Sequence, residues 1–145
     1  MAYPGDEQVE TYRLVSIDIN TGKIQAAHYD PLPFFSMGQG FFTDEKLGWW
    51  SNDSRRAFFV EVVRGSKVIR VVEFDTQSGI TRVLFEETSE TCIKLSHSIM
   101  EYPVFLPLPS SDELIWFSER SGWAHLYLYD LKTGRLKHVL TEGQW

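Results

Sequence analysis

Ser96, His97 and Ser98, with Asp112 downstream, supply the side-chain types of an acyl-transfer triad: a hydroxyl nucleophile, an imidazole base and an orienting carboxylate. A triad is defined by geometry, and it works with a nucleophile elbow and an oxyanion-hole loop. The surrounding sequence carries neither, so Ser96-His97-Ser98 reads as a polar connecting loop. His28, His97, His125 and His138 include no His-x-His or His-x-x-x-His pair, which argues against a metal site. Glu142 near His138 reads as surface pairing at a strand end. Gly38-Gln39-Gly40 is too short for a phosphate loop and follows Pro33-Phe34-Phe35 rather than a strand leading into a helix, so it reads as a turn. Trp49, Trp50, Trp116 and Trp123 have the flat faces of a carbohydrate or peptide platform, but on strands their bulk suits the wedge between packed sheets. Cys92 is alone, which excludes an internal disulfide and a Cys-based metal site and reads as a buried or half-buried thiol. No catalytic, cofactor-binding or metal-binding residue is assigned, and no cofactor is expected.

The elements that would position these side chains announce themselves through a repeated turn. Asp18-Ile19-Asn20-Thr21-Gly22, Asp75-Thr76-Gln77-Ser78-Gly79 and Asp130-Leu131-Lys132-Thr133-Gly134 each lie between two strand-like runs. Their glycines are 79 − 22 = 57 and 134 − 79 = 55 residues apart. Self-similarity at about 50 residues marks a repeat architecture, and propeller blades fall in that range. Leu14, Ser16 and Asp18 alternate with Val15, Ile17 and Ile19, the period-two pattern of a strand with one face buried. Glycine then takes the positive φ that other residues resist, and Asp53, Asp75 and Asp130 are expected to accept hydrogen bonds from local backbone amides.

Helical periodicity is missing, so the expected class is all-β, about two and a half blades of a β-propeller built from four-stranded antiparallel blades. One four-strand set occupies 47–51, 57–64, 68–75 and 80–87, and a second occupies 103–108, 114–119, 125–130 and 135–141. Before them lie the last two strands of an earlier blade, 12–19 and 23–29. The expected organisation of 1–145 is a half blade plus crossing loop over 1–46, a full blade plus linker over 47–98 and a full blade over 99–145. Segment 29–40, with Pro31, Pro33, Gly38 and Gly40, reads as the crossing loop.

Hydrophobic residues make up 43% and aromatics 14% of the chain, which excludes a disordered tail. The net charge of −6 is spread among interspersed signs with no basic patch, so nucleic acid is not an expected partner. No run reaches the roughly 18 apolar residues of a membrane-spanning helix. The lone cysteine leaves the redox compartment open.

Trp116-Phe117-Ser118-Glu119-Arg120-Ser121-Gly122-Trp123-Ala124-His125-Leu126-Tyr127-Leu128-Tyr129-Asp130 strongly resembles a blade of the dipeptidyl peptidase IV family of serine peptidases, in the N-terminal β-propeller. Leu140-Thr141-Glu142-Gly143-Gln144-Trp145 is similar to the phrase that closes that blade, and Tyr3-Pro4-Gly5-Asp6-Glu7 to a segment before a middle blade. Trp50-Ser51-Asn52-Asp53-Ser54 resembles an inner-strand turn phrase, with Ser54 where glycine is usual. The resemblance implies a non-catalytic propeller fragment whose parent removes Xaa-Pro or Xaa-Ala dipeptides from peptide N-termini, the ring gating and positioning substrate. It implies the parent's hydrolase domain and its peptide substrate as partners, and a periplasmic or secreted parent with the cytoplasm as the alternative. The family's Gly-x-Ser-x-Gly elbow is absent from this chain. The family's substrate-binding glutamate pair lies upstream of this segment, so Glu86-Glu87 reads as a solvated strand end, and His125 as a structural side chain holding a blade turn. A rival reading is a propeller interaction module with no peptidase attached. Uncovered interblade faces predict a homo-oligomer or exchange of the orphan strands.

Overall fold

The repeated turn folds as its residue types demand. Asp18, Asp75 and Asp130 each turn a carboxylate oxygen back onto the loop, accepting from the amides of Asn20 and Thr21, of Gln77 and Ser78, and of Thr133, at 2.7–3.1 Å. The amides of Gly22, Gly79 and Gly134 then donate to the backbone carbonyls of those same aspartates, at 2.8, 2.9 and 2.8 Å. The three glycines sit at φ of +70°, +82° and +72°, the left-handed region that a Cβ makes costly. This is a computed structural model, and it describes residues 6–32, 48–95 and 104–144.

The described residues contain strands and no helix. A half blade pairs β1 (Val15–Ile17) with β2 (Ile24–Ala26). A full blade runs β3 (Gly48–Trp50), β4 (Arg56–Val62), β5 (Val68–Asp75) and β6 (Thr81–Thr88). A second full blade runs β7 (Phe105–Leu108), β8 (Glu113–Ser118), β9 (His125–Asp130) and β10 (Arg135–Val139). Strand order within each sheet follows chain order and every pairing is antiparallel, as in propeller blades. The chain is all-β, two and a half blades that do not close a ring.

β5 and β9 match the ranges expected from sequence, and the half blade is shorter than expected. Ladder pairing covers three residues of each of its strands, with Tyr12 and Leu32 joined beyond them by one isolated bridge. Among the described residues these two strands hydrogen-bond only to each other in a sheet, so no second neighbour holds their ends.

The core lies between blades, and alternation along the middle strands builds it. Phe58, Val60, Ile69, Val71 and Leu84 of the first full blade pack against Leu114, Trp116, Tyr127, Tyr129 and Leu131 of the next. From the opposite face of the same blade, Phe59, Val72 and Phe74 pack with Leu32, Leu14, Ala27 and Tyr29 beside the half blade. The tryptophans divide. Trp116 is fully buried, and Trp49 stacks on Phe58 at 5.4 Å and touches Phe105, as a core wedge should. Trp50 and Trp123, also expected in the core, are instead 53% and 43% exposed. Trp50 alternates with Trp49 and so faces the half-blade side, where among the described residues only two strands stand. Trp123 lies in the turn before β9. Cys92 is exposed rather than buried or half-buried, because it lies in the segment after β6 and not on a strand.

Candidate functional site: polar locks at the blade seams

The densest polar constellation lies where the two full blades meet, at the rim opposite the Asp-Gly turns. Glu87, near the end of β6, points out of its own sheet toward the next one. Its Oε2 accepts from Trp116 Nε1 at 2.9 Å and from Arg120 Nη2 at 2.7 Å, and its Oε1 accepts from the Ser118 hydroxyl at 2.6 Å. Ser118 Oγ in turn accepts from the Arg120 amide at 3.1 Å and from Arg120 Nε at 2.9 Å. Arg120 Nη1 donates to the Tyr129 hydroxyl at 2.6 Å. The guanidinium lies 4.5 Å from the Tyr127 ring centre, within cation–π reach. Burial works to lower the proton affinity of Arg120, but the bond to Tyr129 and the charge of Glu87 outweigh it and hold the group above its ordinary value. Phe85 completes the seam by stacking on Tyr129 at 3.9 Å between centroids.

The expectation for Glu87 is therefore corrected: it is a buried carboxylate held by three donors from another blade, not a solvated strand end. Only Glu86 is exposed, and it pairs with Arg70 Nε at 2.6 Å. Alternation at the strand end sends Glu86 toward the Arg70 side and Glu87 toward the neighbouring blade.

A second lock joins the half blade to the first full blade. The Tyr29 hydroxyl donates to Glu61 Oε2 at 2.6 Å, and Arg70 Nη1 donates to the same oxygen at 3.1 Å. Burial first, and then the bond to Glu61, push the Tyr29 phenol up to about 12. These residues line a cleft of about 430 Å³ with His28, Asp30 and Val83.

His125, on β9, is buried, with Nδ1 3.3 Å from the Thr141 hydroxyl and Nε2 3.1 Å from the Gly143 carbonyl. It ties the strand to the chain leaving β10, the structural role expected of it. Asp53 accepts from Ser51 Oγ at 2.5 Å and from the Arg55 amide at 3.1 Å, closing the turn that holds Ser54 at φ +56° where glycine is usual. Asp112 is drawn into a seam as well: Arg56 Nη2 lies 2.6 Å from its Oδ1 and Lys132 Nζ 3.5 Å from its Oδ2. Ser96-His97-Ser98, Gly38-Gln39-Gly40 and Tyr3-Pro4-Gly5 lie outside the described residues. Among the described residues no three His, Cys, Asp or Glu side chains converge as metal ligands would. Among the described residues no helix is long and apolar enough to cross a membrane.

Sequence reasoning missed Glu87 and Arg120 as a pair. Their one signal is chemical: an Arg within a Tyr-rich phrase needs a carboxylate partner if it is half-buried. What the arrangement does is hold adjacent blades in register. The oxygens of Glu87 are committed to donors that the neighbouring blade itself supplies, so the carboxylate is a fastening between sheets.

Repeating four-stranded sheets fastened face to face in this way define the chain as part of a β-propeller. The family model for the dipeptidyl peptidase IV (DPP IV) N-terminal region matches residues 2–145, and the chain belongs to that family. Among solved structures it is similar to a protein described as a candidate dipeptidyl aminopeptidase IV from Bacteroides ovatus, with a TM-score of 0.54 and 18% identity over 89% of this chain. At that identity the likeness concerns the fold. The chain spans 20% of the length of that protein.

Proposed function

We propose that this chain is wall and channel lining of the propeller in a dipeptidyl peptidase IV-like serine peptidase, and that it breaks no bond itself. In that reading the parent removes Xaa-Pro or Xaa-Ala dipeptides from peptide N-termini, and the ring gates entry and holds the peptide's amino end toward an attached hydrolase domain. The blade boundaries that go with it are 1–46, 47–98 and 99–145. The family match over residues 2–145 carries the reading. The phrase Trp116–Asp130 supports it, because Trp116, Ser118, Arg120, His125, Tyr127 and Tyr129 are all engaged in seams or turns. Side chains so engaged hold a scaffold, whereas a nucleophile and its base must face a reacting atom.

The test is direct. The purified 145-residue chain, offered Gly-Pro and Ala-Pro p-nitroanilides, is expected to release no chromophore above the buffer rate. Turnover that tracks with the protein through purification and is abolished by a serine-directed phosphonate would overturn the non-catalytic role.

A further inference from the structure

The cleft at the Tyr29–Glu61 lock has room and charge that the lock itself does not use. Its walls are the chain just past β2 on one side and β4, β5 and β6 on the other, so both belong to this chain. His28 and Asp30, following the outer strand of the half blade, and Val83, on the outer strand of the next blade, set its mouth.

Glu61 is 9% exposed, and both of its donors, the Tyr29 hydroxyl and Arg70 Nη1, converge on Oε2. Oε1 accepts from no described residue. It is not sealed from solvent either, since among the described residues the one sealed side-chain nitrogen or oxygen without a partner is Trp49 Nε1. A largely buried carboxylate oxygen that lacks a donor favours one arriving through the cleft. Asp30, exposed at the mouth, carries a second carboxylate that no described residue engages. Arg70 is shared between Glu61 and Glu86, so with Asp30 three carboxylates stand around one guanidinium. The excess charge is negative. Among the described residues the acidic groups do not converge as metal ligands would, so the excess suits an organic cation.

The acceptors select among organic cations. A guanidinium binds a carboxylate best through two parallel bonds, and Glu61 has one oxygen to offer. An ammonium carries three donors. Three acceptors line the cleft for it: Glu61 Oε1, the Asp30 carboxylate and the Tyr29 oxygen, whose own proton is given to Glu61. The Tyr29 ring is fixed edge-on against Phe59, 5.4 Å between centroids. Val83, 45% exposed, offers an apolar wall for the methylenes that carry an ammonium. We propose that this cleft binds a primary ammonium on an aliphatic stem, the chemistry shared by a lysine side chain and a free alkylamine. The proposal rests on the cleft alone, so its failure would leave the peptidase reading standing.

The 145-residue chain, titrated with n-butylammonium at low salt and followed by proton–nitrogen correlation spectra, tests it. The amides of Tyr29, Asp30 and Val83 are expected to shift saturably, with a dissociation constant on the order of 1–10 mM. Butyltrimethylammonium, with the same charge and no N–H, is expected to bind at least about tenfold more weakly. Asp30→Asn alters a side chain that no described residue engages, so the fold stands, and binding is expected to weaken at least about threefold. Glu61→Gln, checked for folding by circular dichroism, is expected to weaken it at least about tenfold, and should that variant unfold, Asp30→Asn decides. Nα-acetyl-lysine methylamide binding as tightly as butylammonium assigns the cleft to a lysine of another chain, and its exclusion assigns the cleft to a free amine. Both results uphold the ammonium site. No saturable shift below about 100 mM would overturn it, as would equal binding of the trimethyl probe or undiminished binding by Asp30→Asn.

Discussion

Replacing Glu87 by alanine removes the acceptor on which three side chains of the neighbouring blade converge. Trp116 is fully buried, so its indole N–H is stranded, at a cost of about 1–3 kcal/mol. Ser118 is equally buried and loses the charged oxygen to which its hydroxyl donates, which adds about 1 kcal/mol. Arg120 is a third exposed and keeps Tyr129, so water compensates it and its share is at most about 1 kcal/mol. The sum is about 2–5 kcal/mol, which overlaps the roughly 3–5 kcal/mol seen when one partner of a buried pair is removed. Urea unfolding followed by far-UV circular dichroism measures it, at a concentration where sedimentation gives a single species. Trp116→Phe supplies the internal check. With the indole N–H gone, Glu87→Ala strands one donor fewer and is expected to cost about 1–2 kcal/mol less than in the parent. A loss below about 1 kcal/mol for Glu87→Ala, or strict additivity of the two changes, would show that the carboxylate does not fasten the seam.

Gly134→Ala and Gly122→Ala share a positive φ, but only the first places a methyl against the Leu84 backbone of the adjoining blade, with the carbonyl carbon 2.8 Å away. Thermal and urea unfolding are expected to show Gly134→Ala costing at least about 2 kcal/mol more, and equal losses would refute close seating of the hairpin. Asp75 is held down to about 2 from 3.8, first by the Ser78 amide and despite partial burial. A carboxylate with a depressed folded value contributes stability that is complete above 3.8 and is lost as pH falls toward 2. Asp75→Asn is therefore expected to flatten the acid arm of the stability profile between those values, and an unchanged slope would sink the assignment.

How legible each feature was in the sequence depended on how local its cause is. The Asp-to-Gly turns were readable because both ends of each hydrogen bond lie within five residues, and because a positive φ restricts residue type wherever the turn occurs. β5 and β9 were readable from alternation between close turns. Glu87 was not, since its burial depends on Trp116, Ser118 and Arg120, about thirty residues onward and on another sheet. Trp50 and Trp123 were misplaced because composition favours burying an indole, while the blade surface each one meets is set by packing. Cys92 misled for the same reason: a thiol is buried by habit, but this one lies on a connection.

The two locks show why a repeat of this kind hides its seams. Tyr29, three residues past β2, and Glu87, near the end of β6, hold matching places, and Glu61 and Ser118 match at the ends of the second strands they reach. At one seam the residue following the outer strand donates, Tyr29 to Glu61, and at the other the outer strand accepts, Glu87 from Ser118. The bond has the same place and the same length, 2.6 Å, but its chemistry is reversed. Sheet packing requires only that a donor face an acceptor at that point, so residue identity there is free to invert from blade to blade. The turn has no such freedom. Its carboxylate must accept from its own backbone and its glycine must reach positive φ, and so Asp and Gly are what the eye finds at a spacing of 57 and 55 residues. The visible repeat marks where the backbone is constrained, and the fastening of the blades lies in the positions between.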